Sequence, residues 1–571
     1  MAEPGAARTI LRVAAFLALT FGVMPVARAG DPPTAAQHHM AATANPLATR
    51  AALSVLRDGG SAIDAAIAGQ MVLAVVEPQS SGLGGGSLLM VWDAKASELS
   101  YFEGLASAPA AMPQDYAHGP DGKPLDAKQL ERSGRVVAVP GTLATLAMVH
   151  ARYGRLPWPR LFRDAIALAD DGFAMPHYLH ETLQQRSELA RKPDFAGYFD
   201  AAGAPLPVGA TLTNHPLATT LRKVAEQGAK ALYQGPIAED IVRAADQGAM
   251  PGTLTAADLA NYQPHRRAPV CLVAFDHRIC SAAPPVSGGI ALLQQLGIAE
   301  RLHIAAQPQG SAEAAHLFIE AARLAEADRR SFVGDPDQVD VPVAGLLDST
   351  YLDQRAATID PAHALVRAVP GSPPLKHAAL PLSDPLALPA TTHLAIIDDD
   401  GNAVSFTTTI NLNFGADIVV DGIVLNDALT NFATNPVADG KTVANAAAPG
   451  KRPITTMAPT IVFDRNGKVA LIVGAGGGAR IIDSVAETIL GVLAWGDNVR
   501  DAIEQPRIGG ENRAQELERA TPAAGLADEL RTMGHEIKIT AMNAGVQAIA
   551  VTPRGFEGWG DPHRDGVALG D

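Results

Sequence analysis

The chain has 571 residues, 47% of them hydrophobic and 18% charged. That is enough apolar material for a large core and too little charge for a disordered chain. Its 45 Lys and Arg against 60 Asp and Glu leave a formal charge of -15, and an acidic chain without a basic run is a poor nucleic-acid binder. Two cysteines and 5% aromatic residues exclude a Cys-rich zinc site, a disulfide scaffold and a stacking platform for single strands.

In chain order, Arg8 and Arg12 precede an apolar stretch from Val13 to Met24, and Ala27-Arg28-Ala29 is a small-x-small cleavage site. This predicts a signal peptide over 1–29 and a mature chain starting at Gly30, exported and periplasmic if the host has an outer membrane. An uncleaved anchor is the rival reading. Ala48 to Leu56 and Ala62 to Val76 read as two helices with a stop at Gly59-Gly60. A loop from Glu77 to Gly86 and a strand from Ser87 to Asp93 follow. Residues 140–330 are mostly helical, interrupted by a β-hairpin over Val270 to Phe275 and Arg278 to Ala283. Its Cys271 and Cys280 face each other or nearly so, and both a bridge and two free thiols stay open. Residues 361–390 hold seven prolines and read as an extended surface segment. Strands are then expected at Thr391 to Asp398, Ala403 to Ile410, Gly422 to Leu425, Thr460 to Phe463 and Val469 to Val473, with a helix over Ser484 to Ala494. Strands layered with helices predict an α+β or αββα architecture.

The hairpin over 391–410 carries the chemical signal. Its turn is Asp399-Asp400-Gly401, with glycine where a three-residue loop needs a left-handed residue. Pairing Asp398 with Asn402 places Thr391 opposite Thr409 on one face, with His393, Ser405 and Thr407. Leu394, Ile396, Val404, Phe406 and Ile410 make the other, core-facing side. Threonines on one strand face also fit β-propensity alone.

The chain resembles the gamma-glutamyltransferase family over almost all of its mature length. The matching runs are Ala44-Asn45-Pro46-Leu47-Ala48, Gly59-Gly60-Ser61-Ala62-Ile63-Asp64-Ala65-Ala66, Glu77-Pro78-Gln79-Ser80-Ser81-Gly82-Leu83-Gly84-Gly85-Gly86, Val139-Pro140-Gly141-Thr142 and Tyr153-Gly154-Arg155-Leu156-Pro157-Trp158. They continue with Pro284-Pro285-Val286-Ser287-Gly288-Gly289, Gly334-Asp335-Pro336-Asp337, Thr391-Thr392-His393, Asp400-Gly401-Asn402-Ala403-Val404, Pro449-Gly450-Lys451-Arg452-Pro453 and Asp561-Pro562-His563-Arg564-Asp565-Gly566. The resemblance implies a four-layer αββα N-terminal-nucleophile hydrolase whose precursor cuts itself at Ala390–Thr391. The products would be a heavy chain, 30–390, and a light chain, 391–571, that begins at the nucleophile. It implies no cofactor, no metal, no nucleic acid and no membrane partner, but a small amide substrate with water or an amino acid or peptide as acceptor.

The chemistry fits these residues. Cutting before Thr391 exposes an α-amine of pKa about 8, a base for the Thr391 hydroxyl in the same residue. Thr409 would orient that hydroxyl, and Gly477 and Gly478 match the family's oxyanion-hole glycines. The Gly run also fits an ordinary strand-to-helix turn. Two other glycine-rich runs lack a required position: Gly82 to Gly86 is followed by Ser87 where a dinucleotide fingerprint needs glycine, and Gly440-Lys441-Thr442 has Asn435 where a phosphate loop begins with glycine. His38-His39 read as solvated.

The chain departs from the family in the clamp for the amino-acid head. Leu105 replaces an Arg that holds the α-carboxylate in a motif like Phe-Asp-Gly-Arg. In the run matching Asn-Asn-x-Met-Asp-Asp-Phe, Asn431 replaces the Asp that meets the α-amine, and Ala428 stands where Gln or Glu is frequent. Thr455-Thr456 stand for a Ser-Ser pair, and Asn411 is retained. The clamp has thus lost its cation and its anion together, which leaves a neutral pocket. Three readings follow: a gamma-glutamyl hydrolase or transferase with altered head recognition, an acylase for glutaryl-like amides without a free amino-acid head, and a non-catalytic binding protein.

Overall fold

The computed structural model describes residues 32–374, 390–510, 514–542 and 544–571. The expected leader over 1–29 and most of the Pro-rich stretch after 374 lie outside them. Fourteen strands build two antiparallel sheets. In chain order they are β1 (Thr34–Ala36), β2 (Met40–Thr43), β3 (Gly86–Asp93), β4 (Glu98–Gly104), β5 (His265–Arg267), β6 (Val270–Ala274), β7 (His277–Ser281), β8 (Thr392–Ile397), β9 (Ala403–Thr409), β10 (Thr460–Phe463), β11 (Val469–Gly476), β12 (Gly545–Thr552), β13 (Gly555–Gly560) and β14 (Val567–Gly570). The first sheet runs β14-β2-β8-β9-β3-β4-β5 and the second β1-β13-β12-β11-β10-β7-β6. The hairpin strands β8 and β9 lie against β11 and β12, so the sheets stack face to face.

Helices cover both outer faces. Helix α1 (Pro46–Arg57) starts on the Asn45 cap, whose side chain accepts the Leu47 N–H at 2.9 Å, with Pro46 in the first turn. Helix α2 (Ala62–Val76) opens on a reciprocal Ser61/Asp64 capping box and is buried on every face. A helix whose only polar side chains are the capping Asp64 and the buried Gln70 belongs inside a protein, and α2 lies between α1 and strands β8 and β9. Across the second sheet, α3 (Ser287–Arg301) packs on β6 and β7 and carries α4 (Ala312–Phe332), while α5 (Ile481–Leu490) covers β11. The layers are therefore αββα, as the sequence predicted. No helix of the described residues is long and apolar enough to cross a membrane.

The β8–β9 hairpin keeps the expected register: Thr392 pairs with Thr408, Ile397 with Ala403, and Gly401 takes φ 80°. One expectation needs correction. Both faces of this hairpin are buried, not one. Leu394, Ile396, Val404 and Phe406 join the core under α1 and α2, whereas His393, Ser405 and Thr407 are sealed between the sheets. There His393 Nδ1 lies 2.8 Å from Thr407 Oγ1, Ser405 Oγ donates to Val473 O at 3.0 Å, and Thr460 N–H donates to Ser405 Oγ at 2.9 Å. A central strand in a four-layer fold has no wet side, so its polar residues bond to one another and to the facing sheet.

Smaller differences concern element ends. The strand expected over 422–425 is only Ile423–Val424, because Asp421 and Gly422 take φ 51° and 77° and reverse the chain onto Val419–Val420. The helix expected over 484–494 begins earlier, at Ile481, and ends as an α-helix at Leu490, giving way to a wider turn over Gly491–Trp495. In the β6–β7 hairpin the loop is two residues, Phe275 and Asp276, both with positive φ. Cys271 therefore pairs directly with Cys280, and the two form a disulfide.

Burial pushes the His393 imidazole down to about 3. The unfolded chain takes up a proton at this residue near its ordinary value of about 6.5, which the folded chain refuses. His393 thus favours the fold above that pH and costs stability progressively from about 6.5 down to 3, by at most about 1.4 kcal/mol per pH unit. Thermal unfolding across this range should fall more steeply for the native chain than for His393→Gln. Parallel curves would show that the histidine does not drive the acid loss.

Candidate active site

The site forms where the open end of the β8–β9 hairpin meets the end of β11. Thr391, just before β8, is buried, and its hydroxyl donates to Thr409 Oγ1 at 2.9 Å. Thr409 Oγ1 also accepts the Asn411 N–H at 2.8 Å, which fixes the direction of its own hydroxyl. Thr391 has φ 97°, a conformation that a β-branched residue adopts only under strain, at a cost of about 1–3 kcal/mol.

The Thr391 carbonyl is held from the end of β11 and from the turn that joins β13 to β14. Arg564 Nη1 donates to it at 2.8 Å, and this buried guanidinium lies 4.6 Å over the Tyr178 ring. Gly476, the last residue of β11, is seated so closely that a Cβ would stand 2.1 Å from the same oxygen. The next residue, Gly477, takes φ 146° and donates its N–H to the Ala390 carbonyl at 3.2 Å. Gly478 follows at φ 62°, and its carbonyl accepts the Thr456 hydroxyl at 2.8 Å, which pins the turn. The carbonyl of the Ala390–Thr391 bond thus faces a backbone donor while the hydroxyl next to that bond is oriented by Thr409. Such an arrangement can polarise the carbonyl for attack.

The remaining predicted residues fall around this centre. The buried loop Glu77–Gly85 supports it, as Ser80 O accepts Ile410 N–H and Gln79 O accepts Phe414 N–H, both at 3.1 Å. Burial raises the Glu77 carboxyl to about 8. Asn431 Nδ2 donates to Asn411 Oδ1 at 2.7 Å. Ala428 begins the short turn that carries Asn431. Thr455 gives its carbonyl to Ser287 and Gly288, at 2.9 and 3.1 Å, and its hydroxyl accepts the Met457 N–H. Leu105 follows β4; Gly86 pairs with Thr409 on one side and approaches the Leu105 backbone on the other. The Leu105 side chain joins the second core. Its backbone is fixed by Glu103 Oε1 and the Tyr262 hydroxyl, at 2.9 and 2.7 Å. Glu103 in turn holds Arg452, 3.0 Å away.

Sequence reasoning matched Arg564 as a motif member without giving it a task and did not single out Gly476, because contacts such as that of Arg564 with Thr391, across 173 residues, leave no local pattern. It read Asp427 only as part of a run. Asp427 is wholly buried, its Oδ1 accepts Leu412 N–H at 3.0 Å and Asn411 Nδ2 at 3.2 Å, and burial raises its carboxyl to about 8.

An αββα sandwich with a threonine at the head of a central strand, facing a glycine turn, defines an N-terminal-nucleophile hydrolase. The Gamma-glutamyltranspeptidase family model matches residues 48–571, and the chain belongs to that family of enzymes. It is 34% identical over 542 residues to the glutathione hydrolase proenzyme of Bacillus subtilis strain 168, covering 93% of this chain and 91% of that one. It is likewise 34% identical over 546 residues to the acylase ACY 1 proenzyme of Pseudomonas sp. strain SE83, covering 93% and 94%. Among solved structures, a cephalosporin acylase from Bacillus halodurans superposes with a TM-score of 0.81 at 26% identity, over 100% of this chain and 99% of that one.

The close seat of Gly476 gives a direct check. Gly476→Ala forces a methyl against the Thr391 carbonyl, and overpacking of this kind costs about 1–3 kcal/mol. Thermal unfolding of the variant should show that loss, together with a slower appearance of any cut at Thr391. An unchanged midpoint would mean that the two backbones are not in contact.

Proposed function

We propose that the protein is an exported, self-processing N-terminal-threonine amidohydrolase and acyltransferase, which cleaves gamma-glutamyl-like amides through an acyl-enzyme with altered recognition of the amino-acid head. The observation that carries this reading is the pairing of Thr391 Oγ1 with Thr409 Oγ1 at 2.9 Å beside a scissile carbonyl that accepts the Gly477 N–H at 3.2 Å. In the uncut chain the Thr391 nitrogen is an amide and cannot act as a base. Maturation therefore rests on the oriented hydroxyl, the polarised Ala390 carbonyl and the strained φ of Thr391. The hydroxyl adds to that carbonyl, the C–N bond breaks, and the acyl group passes to Oγ1 as an ester that water then hydrolyses.

The cut frees the Thr391 amine. In turnover the amine takes the hydroxyl proton, Oγ1 attacks the substrate amide, and the proton passes to the leaving amine. Gly477 and Gly478 hold the tetrahedral oxyanion. Water or an acceptor amine then resolves the ester. The heavy chain would span about residues 30–390, after loss of the leader, and the light chain 391–571.

A second reading, an acylase for glutaryl-like amides, is favoured by one feature. Leu105 is buried in apolar surroundings and offers no donor where a carboxylate-binding Arg is expected. Each charged contact to the head contributes about 1.5–3 kcal/mol when made. A neutral clamp therefore gives up roughly two to four orders of magnitude in discrimination.

Two measurements test these readings. Thr391→Ala should leave one precursor band and no amidase activity, and Thr409→Ala should slow maturation by about 10²-fold through lost orientation; a fully cut Thr391→Ala protein would sink the mechanism. In parallel assays the native enzyme should cleave a gamma-glutamyl anilide and a glutaryl anilide at comparable efficiency, with glutathione a poor substrate. Strong preference for the gamma-glutamyl compound would show that residues outside the expected clamp bind the charged head.

A further inference from the structure

The run Asn426-Asp427-Ala428-Leu429-Thr430-Asn431-Phe432 does more than lose an acid. Where the motif carries Asn second and Asp sixth, this chain has Asp427 and Asn431. The two residue types have exchanged places, and the structure joins the two positions through one side chain. Asn411 Nδ2 donates to Asp427 Oδ1 at 3.2 Å and to Thr430 Oγ1 at 2.9 Å, while Asn411 Oδ1 accepts Asn431 Nδ2 at 2.7 Å.

The polarity of this relay is set at its buried end. Asp427 Oδ1 already accepts the Leu412 N–H at 3.0 Å, and as a carboxylate, or as an acid with its proton on Oδ2, it is an acceptor towards Asn411. The Thr430 hydroxyl donates to the Asp427 carbonyl at 2.8 Å, so its oxygen is likewise left to accept. Both neighbours therefore require the nitrogen of Asn411, and its oxygen must face Asn431. That in turn draws in the Asn431 nitrogen. Asn431 Oδ1 is left with no protein donor among the described residues, on a side chain that is half-buried rather than sealed. Asp427 Oδ2 has no partner and is shut away from solvent, so the carboxyl does not contact substrate itself. The relay is tied to the nucleophile by the Asn411 N–H on Thr409 Oγ1 at 2.8 Å.

We propose that Asp427 is a positioning residue for specificity: through Asn411 it holds the Asn431 amide with its oxygen as the open acceptor. Beside plain acyl heads, the pocket then accommodates heads that carry an N–H donor, whether a free amine or an acylated one. The inference rests on the proposed reading of Thr391 as nucleophile, since the relay would otherwise flank no reacting centre. A neutral oxygen does not demand a charge on its donor, which separates this pocket from one built on a surface carboxylate.

The test compares Asp427→Asn, which keeps the acceptor, with Asp427→Leu, which removes it at similar size. In the mature enzyme the ratio of kcat/KM for the gamma-glutamyl over the glutaryl anilide should stay within twofold of native for Asp427→Asn. It should fall about tenfold for Asp427→Leu, through KM of the gamma-glutamyl compound, with the glutaryl anilide unchanged. An equal loss on both substrates, or an unmoved ratio in Asp427→Leu, overturns the proposal. A variant of conserved size guards against a misfolded Asp427→Leu. In the inactive Thr391→Ala precursor, Asn431→Asp sets a carboxylate oxygen against Asn411 Oδ1. Its thermal midpoint should drop by about 2 °C or more, whereas an unchanged or raised midpoint would reverse the relay polarity and overturn the proposal. That arm reads the relay without turnover, so a native enzyme that cleaves neither anilide counts against the proposed function alone.

Discussion

Everything at this site depends on how the carbonyl of Thr391 is held. Thr391 heads a strand of the first sheet, and its restraints come from elsewhere: the Arg564 guanidinium on the oxygen, from the turn that joins β13 to β14, and the bare Cα of Gly476, at the end of β11 in the second sheet. Because both are buried, the peptide plane at Thr391 cannot rotate freely to relieve its positive φ. The neighbouring Ala390 carbonyl is thereby presented to the Gly477 N–H. Two restraints from outside the hairpin thus hold the strained residue and orient the carbonyl, while Thr409 within the hairpin places the hydroxyl. The Arg564 charge is tolerated there because it is spread over a planar group, bonded to a carbonyl and stacked on Tyr178.

The sheet order explains why a cut at this point need not undo the fold. In the first sheet β14, β8 and β9 come from beyond Thr391, while β2, β3, β4 and β5 come from before it. Strand β2 lies between β14 and β8, so it is bonded on both edges to chain that follows the cut. In the second sheet β1 and the β6–β7 hairpin flank a block of four later strands. Separating the two parts would expose strand edges on both sheets and the apolar faces between them. Breaking one strained peptide bond removes none of these pairings.

Much of this was legible in the sequence, for a local reason. Asp398, Gly401 and Asn402 specify a tight turn, and a tight turn fixes the register of everything behind it; Thr391 opposite Thr409 follows by counting. The stop at Gly59-Gly60 between α1 and α2 is an equally local signal. The sequence did not reveal that His393, Ser405 and Thr407 are dry, because alternation along a strand reports two different faces and not whether the polar one meets water. Nor could it pair Arg564 with Thr391, or Asp427 with Asn431 through Asn411. Those relations are made by chain segments that meet only after folding, and a side-chain amide shows its polarity only when its neighbours are known.

The same relay changes how the departures in the clamp are read. Counted position by position, Leu105 and Asn431 are two lost charges. Followed through hydrogen bonds, only the cation at 105 is gone without replacement, since the buried Leu105 side chain has become core. The acid has instead moved one step back from the surface, to a position where burial raises its pKa to about 8 and holds it largely neutral at physiological pH. From there it acts by direction rather than by charge. Asp427 orders an amide that orders a second amide, and in the proposed pocket the outermost oxygen is the one offered to the acyl head. A pocket organised in this way tolerates the absence of the arginine at 105, because it presents no unpaired anion for that arginine to balance.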